Sequence, residues 1–470
     1  MKIVLAFLSL FFTSAQAENR IDLHEKASKT FLNWNFFENG SGMTVSPNLT
    51  RYLWMVQREN KIEEKFVNGF IEQRYGFVVN KNKKLMGVFN VPWKGMDVGV
   101  LGCTGCHSGK AAGRIIAGLG NKTIDPYMIG KDTYRIQRVW GLGKTDPDYK
   151  YIHSKAMNFA KVISDPKLAN LVRGVVSDST IKTFFYKDIG APYPKDMGRA
   201  QVKVPHLWGI KQKRPAGVFN DGSLSGEDYG WIFGAELFAS DSAEHLRASL
   251  PRIEWLTDEV LGNLLPPEYP YEVNQALVKK GEQLFQTNCM KCHGDHQRDF
   301  QGKPIYTAPK VIPIQIVKTD RDKLNAIDKD FIEVVEKSSL GDILKFEEEN
   351  VGKGYFAPKL WGIWSRFPYM HNGSVPTLYH MLVKPEERPQ FFSMKDAGEE
   401  YRFNKAFGGL TLFSDAEKPR AERRAKKGDR DIYYVRREGL SNLGHYFPRR
   451  FDKLSHADRL AIVEYLKALN

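Results

Sequence analysis

Apolar and polar positions alternate at helical spacing in two parts of the chain, and the apolar ones merge into an unbroken run in a third. In NQALVKKGEQLFQTN, residues Ala276, Leu277, Gly281, Leu284 and Phe285 return at intervals of three and four, which predicts a helix leading into CMKCH. The C-terminal LSHADRLAIVEYLKAL places Leu460, Ile462, Val463, Leu466 and Leu469 on or near one stripe, with Ser455 as its N-cap. A glycine inside a helix costs about 1 kcal/mol relative to alanine, so Gly281 signals a close crossing, with the C-terminal helix as the expected partner. VPWKGMDVGVLG, ahead of CTGCH, has no helical period and predicts entry by a loop or a degenerate version of the same fold. The unbroken run lies in MKIVLAFLSLFFTSAQA, where a lysine precedes the apolar stretch and Ala15 and Ala17 form an A-x-A cleavage pattern. It reads as a secretory signal over residues 1–17, and no later segment is apolar for the roughly 20 residues that a spanning helix needs. The expected product is a periplasmic protein without stable membrane insertion.

The length of 470 residues fits about two to three domains. The formal charge of +14 favours an acidic protein or an anionic surface as partner, since export removes nucleic acid from consideration. KPRAERRAKKGDRD, from Lys418 to Asp431, supplies much of the excess and reads as a solvated loop, with a docking surface for an acidic redox partner as the alternative.

The four cysteines set the chemistry. Cys103, Cys106, Cys289 and Cys292 form two C-x-x-C pairs, each followed at once by a histidine, His107 or His293. Two thiols three positions apart reach the two vinyl groups on one haem edge, and the next histidine falls beneath the iron as proximal ligand. A thioredoxin-like pair or a zinc site would not require that histidine in both copies. Two covalent haems c are therefore the implied cofactors. A second similarity links VPHLWGIKQKRPAGVFNDGS, from Val204 to Ser223, with APKLWGIWSRFPYMHNGS, from Ala357 to Ser374. Duplicated haem domains explain both repeats; a pair of buried aromatic turns without chemistry of their own is the plainer reading.

Two CxxCH motifs, together with RFPYMHNGSVPTL, resemble the bacterial di-haem cytochrome c peroxidase superfamily. GLSNLGHYF, CHSGK and PEERPQFF are most similar to its rubber oxygenase branch. The resemblance implies a mainly α fold of two cytochrome c-like haem domains, with long loops and little strand. The units expected are 18–270, with the first haem, and 271–470, with the second. It also implies that one haem is the reaction site while the other exchanges electrons. No histidine lies between His107 and His153, which favours the first haem as the site for peroxide or dioxygen, although His153 or His206 could reach back. For the second haem the distal candidates are Met370, His371, His380, Met381 and His445, and the resemblance points to His445. His371 is expected near the haem edge.

The family's Phe-Trp-Asp-Gly segment reads Phe219-Asn220-Asp221-Gly222 here, so Phe219 stands in the aromatic relay region, with Trp208 and Trp231 as other relay candidates. Glu236 is the candidate general acid or base. Arg199, Arg214 and Arg366 are candidates for the haem propionates. Calcium between the domains is known in the superfamily, but no ligand cluster in this sequence establishes it. The implied partner is a small redox protein. A non-catalytic di-haem electron carrier is the competing reading.

Overall fold

The computed structural model describes residues 22–33, 43–46, 48–63, 66–140, 144–210, 221–224, 247–248, 250–299, 304–305 and 311–469. Among these, helices carry most of the regular structure. Strands are confined to one three-stranded and five two-stranded antiparallel sheets. The three-stranded sheet has Met96–Leu101 at its centre, between Met43–Ser46 and Val88–Trp93. Its hairpin pairs Trp93 with Met96, so Lys94 and Gly95 form a two-residue turn. Both have positive φ, 45° and 76°, the geometry that matches the twist of the flanking strands. This hairpin leads into Cys103–His107, so the first motif is entered from a strand, which accounts for the missing helical period before it.

The second motif is reached as its periodicity predicts. Helix Gln275–Asn288 is capped by the Asn274 side chain, which accepts from the backbone N–H groups of Ala276 and Leu277. The C-terminal helix His456–Lys467 begins in a reciprocal capping box between Ser455 and Asp458. The two helices cross at Gly281, where a Cβ would lie 2.0 Å from the Ala461 carbonyl oxygen. The glycine is thus required by the crossing. Around it, the main buried cluster runs from Ala27 near the start to Leu469 at the end, so apolar side chains from both halves share one core.

The basic stretch is not a loop. Lys418–Lys426 forms a helix whose Ala421 and Ala425 are buried against strands Phe391–Ser393 and Ile432–Tyr434. Beyond it, Arg430 enters the first half of the chain and pairs with the fully buried Asp125, its Nε donating at 2.9 Å. Arg173 pairs similarly with Asp431. Several of the charges are consumed internally, which is why the segment is ordered despite its composition.

Candidate functional site

At the second motif, the helix Gln275–Asn288 ends at Cys289, and the turn Met290–His293 presents Cys292 and His293. His293 Nδ1 lies 2.8 Å from the Pro358 carbonyl oxygen. A carbonyl can only accept, so Nδ1 carries the proton and Nε2 keeps its lone pair, the tautomer a metal ligand needs. Burial lowers the pKa of His293, which keeps the ring neutral.

Across from it stands His445, with ring centres 6.1 Å apart and planes inclined by 54°. Two imidazoles bound end-on to one metal at about 2.0 Å place their ring centres about 6 Å apart. His445 is held by its backbone N–H, which donates to Val317 at 2.7 Å, and by an unusual positive φ of 49°. Burial pushes its imidazole down to about 3. Between the two rings lies a cleft with about 150 Å³ of free space, partly open to solvent, lined by Cys289 and Cys292 and by apolar side chains including Phe285, Leu360, Met381, Phe447, Ile462 and Leu466. The donor set, its spacing and the apolar lining fit a haem.

At the first motif, His107 Nδ1 lies 3.0 Å from the Pro205 carbonyl oxygen, which fixes the same tautomer. Burial lowers this imidazole to about 4. Asn121 ties the motif to its surroundings: its N–H donates to Cys106 at 2.7 Å, and its side-chain amide donates to Gly105 at 3.0 Å. Among the described residues, no imidazole faces His107 as His445 faces His293. The four cysteines form no disulfide. Burial raises the Cys106 thiol to about 11 and the Cys289 thiol to about 12, opposite to the acidic thiols of dithiol redox pairs.

The repeat read from the sequence acquires a role here. Pro205 and Pro358 occupy equivalent places in VPHLWGI and APKLWGI, and each supplies the carbonyl that orients one motif histidine. Trp208 and Trp361 are buried behind them. Gly209 and Gly362 turn the chain at φ 71° and 62°, a conformation that favours glycine. Sequence reasoning saw the repeat but missed its function; the signal was a proline at the same offset in both copies.

The other candidates separate clearly. Met381 lines the cleft. His380 is buried against Thr377, 2.6 Å from its hydroxyl. His371 is stacked on Tyr355, a residue of the cleft wall, with ring centres 4.4 Å apart. Met370 is part-buried against the main core. His153 meets Gln137 at 3.2 Å, and His206 packs on Trp208 at 4.6 Å. Arg199 is engaged with Glu438 and with the carbonyls of Pro166 and Ala169, a structural role in place of the propionate role expected. Phe219, Glu236, Arg214 and Trp231 lie outside the described residues, as does the 1–17 segment. Among the described residues, no group of three or more His, Cys, Asp or Glu is placed to hold a metal ion, and no helix is long and apolar enough to cross a membrane.

Residues 354–393, which include Pro358 and the PYMHNGS segment, match the family of RoxA-like, cytochrome c-like proteins. A stretch of 161 residues is 33% identical to the uncharacterised protein y4iM of Sinorhizobium fredii, covering 30% of this chain and 37% of that protein. The chain thus spans little more than a third of that relative. Both similarities are partial, and the family match points to a distant relationship with cytochrome c-like proteins.

Proposed function

We propose that the chain is an exported di-haem c-type oxidoreductase. In this reading residues 1–17 are a cleaved signal, 18–270 carry a haem on Cys103, Cys106 and His107, and 271–470 carry a haem on Cys289, Cys292 and His293. The observation that carries the proposal is the facing pair His293 and His445, 6.1 Å apart across an apolar cleft that also exposes both cysteines of its motif. A haem held in these sites would supply one-electron transfer and, where a ligand position is left free, binding of peroxide or dioxygen.

The chain's own residues divide the work between the sites. Pro205 and Pro358 hold the proximal imidazoles in the ligating tautomer, and burial keeps those rings neutral. His445 closes the second site from the other side, while Phe285, Ile462 and Leu466 give it an apolar wall. That environment suits electron exchange with a small redox protein. The first site has His107 without an opposing imidazole among the described residues, which suits it to the oxidant. Phe219 and Glu236 remain the candidate relay aromatic and acid–base group there.

Electronic and EPR spectra of the purified exported protein, recorded before and after addition of peroxide, cyanide or carbon monoxide, test the proposal. The expected result is two covalent haems, one low-spin and unresponsive, the other high-spin or altered by ligand. Two low-spin haems that stay unresponsive after reduction would replace the enzyme reading with an electron carrier.

A further inference from the structure

The PEERPQFF segment, 385–392, puts no side chain into the cleft, yet it holds a charge buried close by. Arg388 is 2% exposed, and its guanidinium donates to main-chain carbonyls on three sides: Nε to His380 at 3.0 Å, Nη2 to Val383 at 3.3 Å and Nη1 to Asn442. No carboxylate forms an ion pair with it among the described residues. An arginine is always charged, and neutral acceptors offset the loss of water less well than a carboxylate would, so the arrangement is better explained by what it holds in place than by stability.

The three carbonyls belong to two loops that meet at the second cleft. His380 and Val383 bracket Met381 and Leu382, which both line it, and Asn442 lies three residues before His445. The Asn442 side chain returns the contact, donating to the carbonyl of Pro389 at 3.3 Å. Earlier in the same turn, Asn372 donates to the carbonyls of Gly439 and Ser441, each at 3.0 Å, and the Ser441 N–H donates to Asp320 at 3.2 Å. Nearer to His445, the side-chain hydrogen bonds that fasten the turn to the rest of the fold are the two at Asn442. His445 itself stands at φ 49°, a conformation that persists only when its surroundings impose it. The guanidinium also lies close enough to act on the ring, because after burial and His293 it is the charge of Arg388 that lowers the His445 imidazole. We infer that Arg388 is the positioning residue for His445, a clamp on three carbonyls that keeps this imidazole opposite His293 and the second site closed to outside ligands. This rests on the haem reading above, in which His445 is the distal ligand. Arginine suits the task because its planar fork reaches several acceptors at once, which a compact ammonium on a flexible stem does not.

The test uses the full exported protein and its Arg388→Met, Arg388→Lys, His445→Ala and Arg388→Met/His445→Ala variants, with covalent haem counted by pyridine haemochrome. Carbon monoxide, which is uncharged and so indifferent to the loss of a nearby cation, is titrated into the reduced protein, and its binding at the second haem is followed once the first is saturated. It binds there only when His445 has left, so its apparent affinity scales with the fraction of molecules in which the imidazole is released. Arg388→Met should keep both haems and raise that affinity about tenfold, the worth of one charge-assisted hydrogen bond. Arg388→Lys should fall between the two. In His445→Ala there is no imidazole left to release, so adding Arg388→Met should change the affinity by less than about twofold. An unchanged affinity in Arg388→Met would overturn the clamp, and so would a rise of the same size in the His445→Ala background, because Arg388 would then act on the pocket without His445. If Arg388→Met does not fold, Arg388→Lys decides: a raised affinity supports the clamp and an unchanged one overturns it. A wild type without covalent haem, or a His445→Ala protein with an unaltered second haem, would instead defeat the reading on which the clamp depends.

Discussion

Replacing Gly281 by alanine should destabilise the protein, although the same change in an open helix stabilises. A Cβ on residue 281 would stand 2.0 Å from the carbonyl oxygen of Ala461, 2.6 Å from its carbon and 2.8 Å from Tyr465 Cβ. Carbon–oxygen contacts normally begin at about 3.3 Å, so the two helices must separate by more than about 1 Å. The obstacle is mainly helical backbone, which yields less readily than a side chain. Overpacking of this kind costs about 1–3 kcal/mol, and alanine returns about 1 kcal/mol of helix propensity; a 2.0 Å approach to backbone puts the cost at the upper end, leaving a net loss of up to about 2 kcal/mol. Gly281→Val should cost more. The effect should reach the cleft, because Phe285 lies one turn further along the first helix and Ile462 and Leu466 lie on the second. The assay is urea unfolding followed by far-UV circular dichroism, with the Soret band recorded in parallel. A Gly281→Ala protein more stable than the wild type would refute the crossing as described.

Three further perturbations probe other parts of the molecule. Arg430→Met leaves Asp125, which is fully buried, without its guanidinium partner and should cost about 3–5 kcal/mol in urea unfolding, whereas a loss below about 1 kcal/mol would make the pair dispensable. His371 is buried with its imidazole held down to about 3, so the unfolded chain binds the proton first: stability is intact above about pH 6.5 and falls as pH decreases toward 3, by about 2 kcal/mol at pH 5. His371→Phe should flatten that part of the pH–stability curve, and an unchanged slope would remove His371 as its source. His445→Ala should leave the second haem covalently attached but convert it from low-spin to high-spin, with imidazole restoring the original EPR signal; an unaltered low-spin signal would exclude His445 as the distal ligand.

What the sequence discloses is governed by how local each physical cause is. Helix Gln275–Asn288 announces itself through apolar spacing, and Gly281 through its poor fit to an isolated helix, because both causes lie within a few turns of chain. The capping box at Ser455 and Asp458 is equally local. The helix Lys418–Lys426 is hidden because its inward face consists of Ala421 and Ala425, too small to register as a stripe beside five basic residues, and because its anchor is a carboxylate about three hundred positions away. The CxxCH motifs single out His107 and His293, whereas the carbonyls that set their tautomer belong to prolines at 205 and 358, distant in sequence and carrying no side-chain donor to attract notice. Lys122, Lys203 and Arg366 share no spacing at all; only the fold brings them to the wall of one cavity. A binding site can be read from sequence when the ligand is held by one short segment. It escapes when, as at this cavity, the residues are gathered from three segments, each unremarkable alone.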